Sequence, residues 1–333
     1  MTKETNRLTF FCEMASPQLE KLFANTSLIK QLRRLNANIS LGLLDFSQER
    51  AEVVERLTRA GVPVTAWLLL PKEAGYWTSL DTVAETVRCY GEFKAWTTRN
   101  KLQWAAVGLD IEPHLDRLTQ LSNQWVKEVP DLLNRLISKK KYQALENDAR
   151  TLITLIRNDG FAIETYNFPF VIEERAASSH ILSRTLGTPA LDADREVLML
   201  YSSFFPENGD AILWSYAHQA KGIGIGSTGG GVEIEGIPAL KILRWVDLRR
   251  DMLIASKFTN HLYIFSLEGC VENSYLDRLE ALDWNEEIHL PVNEGQKVTL
   301  VRKALQSLLW ILSHPLEIIL IGFILRCLSK RNK

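Results

Sequence analysis

The chain has 333 residues, 46% of them hydrophobic, with 39 basic and 40 acidic side chains and a net charge of -1. That apolar fraction suffices for a sizeable core and excludes a disordered chain. The balanced charge gives no footprint for nucleic acid. The cysteines Cys12, Cys89, Cys270 and Cys327 are far apart and lack metal-ligand spacing, so reduced thiols in a cytosol-facing domain are expected.

In chain order, strand-like runs alternate with helical ones. RLTFFCEM is a strand ending near Glu13, PQLEKLFANTSLIKQLRRLN a helix, and NISLGLLDF a strand ending at Asp45. SQERAEVVERLTRAG carries a cap at Ser47, an apolar period near that of a helix and a terminal glycine. VPVTAWLLLP is a strand containing Trp67, LDTVAETVRCYGEFKAWTTRN a helix, and WAAVGLDIEPHLD the fourth strand. A long charged helical region, 118–159, precedes the strand in GFAIETYNFPF. SSHILSRTLG leads to REVLMLYSSFF, GDAILWSYAHQA to KGIGIGSTGGG, and RWVDLRRDMLIASKFT to NHLYIFSLEG.

Eight such units within about 280 residues predict an α/β chain folded as a (β/α)8 barrel. The expected organisation is a barrel over 1–284, a polar connector over 285–303 and an apolar C-terminal helix over 304–333. In a barrel the C-terminal ends of the strands converge on one mouth. The residues expected there are Glu13, Asp110, Glu112, Glu164, Tyr166, Asn167, Tyr201 and Glu268. Asp45 reads better as a structural carboxylate. Asp110 and Glu112 are one residue apart, so strand alternation points both to one side. Burying two acids side by side is costly and raises their pKa, which is how a carboxyl becomes a general acid near neutral pH. Trp67, Tyr76, Trp77, Phe168, Phe170, Phe204 and Phe205 add flat apolar faces on which sugar rings pack.

GLDIEP resembles the end of the fourth-strand signature of family 18 glycoside hydrolases, the chitinases and their relatives, Asp-x-x-Asp-x-Asp-x-Glu. Asp110 and Glu112 match its last two acids, while Ala105 and Gly108 stand at the two earlier Asp positions. MLYSS is similar to that family's sixth-strand Met-x-Tyr-Asp, with Met199 and Tyr201 matching and Ser202 in place of Asp. The family's tryptophan on strand eight is missing, and Glu268 stands in that region instead. The resemblance implies a divergent glycosidase acting on a carbohydrate, an N-acetylated one where that family's mechanism applies. Glu112 would protonate the glycosidic oxygen, Asp110 would orient a substrate N-acetyl group that acts as nucleophile, and Tyr201 would hydrogen-bond that group. Without an N-acetyl sugar, Glu268 or Glu164 would supply the second carboxylate.

GIGIGSTGGG follows strand seven, where many barrels bind phosphate through backbone N–H groups, and brings Gly226 and Gly229 into consideration as ligand contacts. A phosphorylated ligand is therefore the alternative, and a catalytically idle, membrane-tethered sugar-binding barrel a third reading. Glu13, Asp110, Glu112 and Glu268 have the chemistry to hold Mg2+ or Ca2+, but no histidine falls at a strand end, and neither a resident metal nor a cofactor is expected. Leu308 to Leu328 is apolar for most of its length, interrupted at His314, Pro315 and Glu317 and flanked by basic residues. It is expected to lie on a membrane rather than span it deeply. No export signal is visible at the N-terminus, so the barrel is expected on the cytoplasmic side.

Overall fold

The computed structural model describes residues 7–205, 207–231, 241–315 and 317. Its elements are β1 (Arg7–Cys12), α1 (Ser16–Ala24), α2 (Thr26–Arg34), β2 (Asn38–Leu43), α3 (Gln48–Arg59), β3 (Val64–Leu68), α4 (Val83–Asn100), β4 (Ala106–Ile111), α5 (Leu115–Ile137) and α6 (Lys139–Asn158). They continue as β5 (Ile163–Asn167), α7 (Val171–Ala176), α8 (Ile181–Leu186), β6 (Arg195–Met199), α9 (Gly209–Ala217), β7 (Gly222–Gly226), α10 (Trp245–Ala255), β8 (His261–Phe265), α11 (Leu267–Glu272), α12 (Tyr275–Glu280) and α13 (Val292–Ser313). The strands pair in parallel, in sequence order, and β8 closes on β1. The expected (β/α)8 barrel is the fold.

Period-two alternation divides the core in two. Leu8, Phe10, Ile39, Leu41, Val64, Ala66, Val107, Leu109, Ile223 and Ile225 pack beneath the helices. Phe11, Trp67, Tyr166, Val197, Met199, Tyr201 and Tyr263 fill the barrel itself. Phe11 meets Tyr166 edge to face at 4.7 Å and Trp67 at 5.1 Å, the arrangement that the ring quadrupoles favour.

So many aromatics leave no room for side chains opposite them, and the glycines record this. A Cβ on Gly108 would stand 2.5 Å from the Tyr166 hydroxyl, and one on Gly224 3.1 Å from the Tyr201 ring. Gly222 likewise faces Val197 and Tyr263. The Gly-x-Gly-x-Gly rhythm of β7 is thus a packing requirement of the barrel interior.

Arg50 is fully buried and ties three segments together. It donates to the carbonyls of Gly42 at 2.8 Å and Met14 at 3.0 Å, and to the Asp45 carboxylate at 3.0 Å. Burial alone would raise the Asp45 pKa, but hydrogen bonds from Arg50, Ser47 and Ser16 outweigh it and hold it well below the usual carboxylate range. Asp45 is structural, as its sequence context suggests. The helix expected over 17–36 is instead two, because Asn25 takes an extended conformation and its side chain caps α2 through the Ser27 N–H at 3.0 Å.

The C-terminal region departs from expectation. The stretch read as a polar connector over 285–303 is helical from Val292. The helix α13 docks on α9 and α7, and a buried cation anchors the contact. The Arg302 guanidinium donates to Glu173 at 2.6 Å and to the Ser215 carbonyl, and lies 3.6 Å over the Tyr216 ring. The helix ends at Ser313, with His314 as its cap and Pro315 following. Among the described residues no helix is long and apolar enough to cross a membrane. Residues 318–333, which carry the clean part of the expected apolar helix, lie outside the described residues.

The packing account predicts that Gly108→Ala lowers stability by about 1–3 kcal/mol, the usual cost of overpacking a core. Gly91→Ala, in open space on α4, should instead stabilise by about 0.5–1 kcal/mol. Urea unfolding of both checks this, and Tyr166→Phe should partly rescue the Gly108 variant, since the hydroxyl is the nearest atom.

Candidate active site

The strand β4 carries its inward side chains at Gly108 and Asp110, and Glu112 follows one step beyond the strand. Asp110 is 4% exposed, whereas Glu112 keeps partial access to solvent. The two share a hydrogen bond, and Glu13, arriving from the end of β1, acts electrostatically on both. Burial, then the charges of Glu112 and Glu13, push the Asp110 pKa well above the carboxylate range. Burial, then Glu13, push Glu112 up to about 8, against the lowering effect of its bond to Asp110. Adjacent carboxyls in a dry site cannot both ionise, so the pair retains a proton at neutral pH.

The loop after β3 closes over these acids. A short 3-10 turn, Lys72–Ala74, leads into Gly75 and then Tyr76, whose backbone is left-handed at φ 67°. The Tyr76 carbonyl accepts from the Leu70 N–H at 2.8 Å, and the Thr78 N–H donates to the Asp110 carbonyl at 2.9 Å. So held, the Tyr76 hydroxyl donates to Glu13. Burial and the Glu13 charge keep that phenol protonated far above its usual range.

Glu268 enters from the first turn of α11. One of its oxygens accepts from the N–H groups of Gly231 at 3.1 Å and Glu13 at 3.2 Å. Its other oxygen is buried, with no hydrogen-bond partner among the described residues, and one oxygen of Asp110 is in the same state. Burial raises the Glu268 pKa while its backbone donors offset part of the rise.

Tyr201 follows β6 and lies across the glycine face of β7. Burial, then the charges of Asp110, Glu112 and Glu13, raise its pKa, which sets its hydroxyl in the field of all three acids. Its ring stacks with Phe265 at 6.1 Å and with Phe204 at 5.6 Å. Phe204 is 41% exposed and Phe205 53%, so a stack of rings runs from the acids to the surface.

Glu13, Asp110, Glu112, Tyr201 and Glu268 therefore come together at the mouth. The other expected residues do not. Glu164 is the second residue of β5 and sits at the opposite, N-terminal end of the barrel. There it accepts from Arg195 at 2.8 Å and Tyr263 at 2.9 Å, beside a cavity of about 200 Å3 lined in part by Asn38, Thr65, Asp194 and Arg195. Tyr166 lies in the barrel interior, its hydroxyl 2.7 Å from Ser40 Oγ. Asn167 alternates to the outer face, donating to Thr165 Oγ1 at 3.0 Å. Trp67 is packed below the acids among Phe11 and Tyr166, and Trp77 is buried edge-on to Tyr76. Neither tryptophan offers an open face. Tyr76 and Phe265 are the mouth residues whose parts the sequence did not disclose, since a loop tyrosine gives no sign of which acid it will reach.

The glycine loop is also already occupied. The Ser227 N–H donates to Ser203 Oγ at 2.9 Å, the Thr228 N–H to the Phe265 carbonyl at 2.7 Å, the Gly229 N–H to Ser227 Oγ at 3.1 Å, and the Gly231 N–H to Glu268. Gly229, Gly230 and Gly231 all have positive φ, at 101°, 78° and 81°. A Cβ on Gly230 would meet Glu268 at 2.2 Å, and one on Gly226 the Phe265 carbonyl at 3.0 Å. The loop thus spends its N–H groups on partners within the chain, Gly231 on the Glu268 carboxylate. Among the described residues no group of three or more His, Cys, Asp or Glu has a metal-holding arrangement.

No family model matches the chain, and no curated protein matches it. Among solved structures, a GH18 chitinase from Pseudoalteromonas aurantia is similar at a TM-score of 0.46 and 8% identity, over 82% of this chain and 98% of that one. ScGas2 in complex with compound 8 is similar at 0.42 and 11%, over 78% and 55%. D-psicose 3-epimerase from Clostridium cellulolyticum H10, solved with D-tagatose, is similar at 0.38 and 10%, over 91% and 99%. The likeness is one of barrel outline, and a barrel hosts many chemistries.

The raised pKa of Glu112 carries a stability signature. Its folded value, about 8, lies above the ordinary 4.5, so the folded state binds more protons between the two, and stability falls as pH rises through that window. Glu112→Gln should therefore be more stable than the parent at about pH 8, by up to a few kcal/mol, and nearly equal to it at about pH 5. Urea midpoints at both pH values check this; a variant weaker at the higher pH would contradict it.

Proposed function

We propose that this barrel is a glycosidase-like hydrolase acting on a carbohydrate, with Glu112 as the general acid. The observation that carries the reading is the placing of Asp110 and Glu112 side by side at the barrel mouth, Asp110 buried and Glu112 half-buried, where burial and the Glu13 charge raise the Glu112 pKa to about 8. A group of that pKa is protonated at neutral pH and can still give its proton up, the balance that general acid catalysis requires. Asp110, held beneath it, suits the part of orienting a substrate N-acetyl group, and Tyr201 that of hydrogen-bonding the same group. Substrate-assisted cleavage needs no second carboxylate nucleophile. On a sugar without that group the second carboxylate would have to be Glu268, because Glu164 lies at the other end of the barrel. The exposed faces of Phe204 and Phe205 give a sugar ring its apolar contact.

A non-catalytic sugar-binding barrel is the second reading, favoured by the near-complete burial of Glu13, Tyr76, Asp110 and Tyr201. The phosphorylated-ligand reading loses ground, since the N–H groups of Ser227, Thr228, Gly229 and Gly231 are engaged within the chain.

The test is turnover and binding of N-acetylglucosamine oligomers. The parent should cleave them, and Glu112→Gln should lose about 10²–10⁴-fold in rate while still binding. A parent that binds without cleaving supports the idle barrel, and a Gln variant with full turnover removes Glu112 from the reaction.

A further inference from the structure

The helix α13 has two unlike faces. Gly295, Arg302 and Leu309 recur at intervals of seven and are its buried positions. Gly295 packs so closely on Trp214 that a Cβ there would stand 2.1 Å from the indole, and Arg302 is the buried cation described above. On the opposite side Leu300, Ala304, Leu308 and Ile311 recur at intervals of three and four, with Val301 and Leu312 beside them. Such spacing draws one continuous stripe along a helix. Leu300 is 67% exposed, Val301 69%, Leu308 52%, Ile311 46% and Leu312 58%. Isolated exposed apolar residues need no explanation, but five along one helix face, anchored from behind by a buried ion pair, form a patch of the kind that marks an interaction surface.

The chemistry around the stripe selects the occupant. Lys297 and Lys303 are exposed on the same helix. From residue 304 to the last residue of the sequence there is one acid, Glu317, against four bases, Arg326, Lys330, Arg331 and Lys333, with the apolar run Ile318 to Leu325 between them. An apolar face bordered by cations and continued by more apolar sequence is the composition of an interfacial helix on anionic lipid. We propose that the outward face of α13, from Leu300 to Leu312, lies on an anionic bilayer surface, with Arg302 and Leu309 fastening the barrel to the helix from the other side. The helix lies in the headgroup layer and does not span. The proposal is independent of the chemistry at the barrel mouth.

Sedimentation of the full chain with vesicles tests it. The protein should pellet with phosphatidylserine-containing vesicles and much less with phosphatidylcholine alone, and high salt should release it. The double variant Leu300→Glu/Leu308→Glu changes only exposed positions, so its thermal unfolding should match the parent while vesicle binding falls more than about tenfold. Leu300→Ser/Leu308→Ser should fall in the same direction by less. Undiminished binding by the Glu variant would overturn the proposal, because the stripe would then not be what touches lipid. A parent that binds neither vesicle, or a parent dimer that the Glu variant dissociates, would overturn it as well, the second by making the occupant another copy of this chain.

Discussion

Two carboxyl groups one residue apart at the end of a parallel strand are the constraint around which the mouth of this barrel is built. Alternation sends Asp110 and Glu112 to the same side, and the closed sheet removes water from Asp110. Two adjacent carboxylates there would repel each other in a medium of low dielectric, so the pair shares a proton. The surroundings follow from that economy. The Tyr76 phenol answers Glu13, and backbone N–H groups from Glu13 and Gly231 answer Glu268. The loop after β3 and the glycine loop after β7 are both drawn onto the acids and fixed there.

The interior beneath the mouth has no room for a further acid below Asp110. An inward acid at Gly108 would collide with Tyr166, whose hydroxyl stands 2.5 Å from where a Cβ would be. The barrel is filled with aromatics at that level, and the Glu164–Arg195 ion pair beneath Tyr166 and Tyr263 supports them from below. The site is built from the last inward position of β4 and from the residues that follow β1, β3, β4, β6 and β8.

The barrel was legible because the eight strand-like runs are short, apolar and separated by helical stretches of the expected length. Asp110, Glu112, Glu13, Tyr201 and Glu268 were legible because a strand end names a mouth residue directly. Depth within a strand was not legible. Glu164 and Asn167 are three residues apart, yet Glu164 lies at the far end of the barrel, which follows only from where the strand begins, and Asn167 faces outward, which follows from which of its neighbours points in. The glycines of β7 looked like a ligand loop because sequence shows a missing side chain without showing what fills the space. The two faces of α13 were hidden for a related reason: its buried side is marked by Gly295 and Arg302 and its exposed side by leucines, the reverse of the pattern that an amphipathic helix shows.

The central claim is that the Asp110–Glu112 pair holds a proton through neutral pH, and carboxyl carbon NMR on protein labelled at Asp and Glu measures it directly. Resonances lost in Asp110→Asn and Glu112→Gln assign the pair. The account predicts that one protonated carboxyl persists at pH 7 and titrates only near 8. Two carboxylates fully ionised by about pH 5, the range of ordinary side chains, would contradict it.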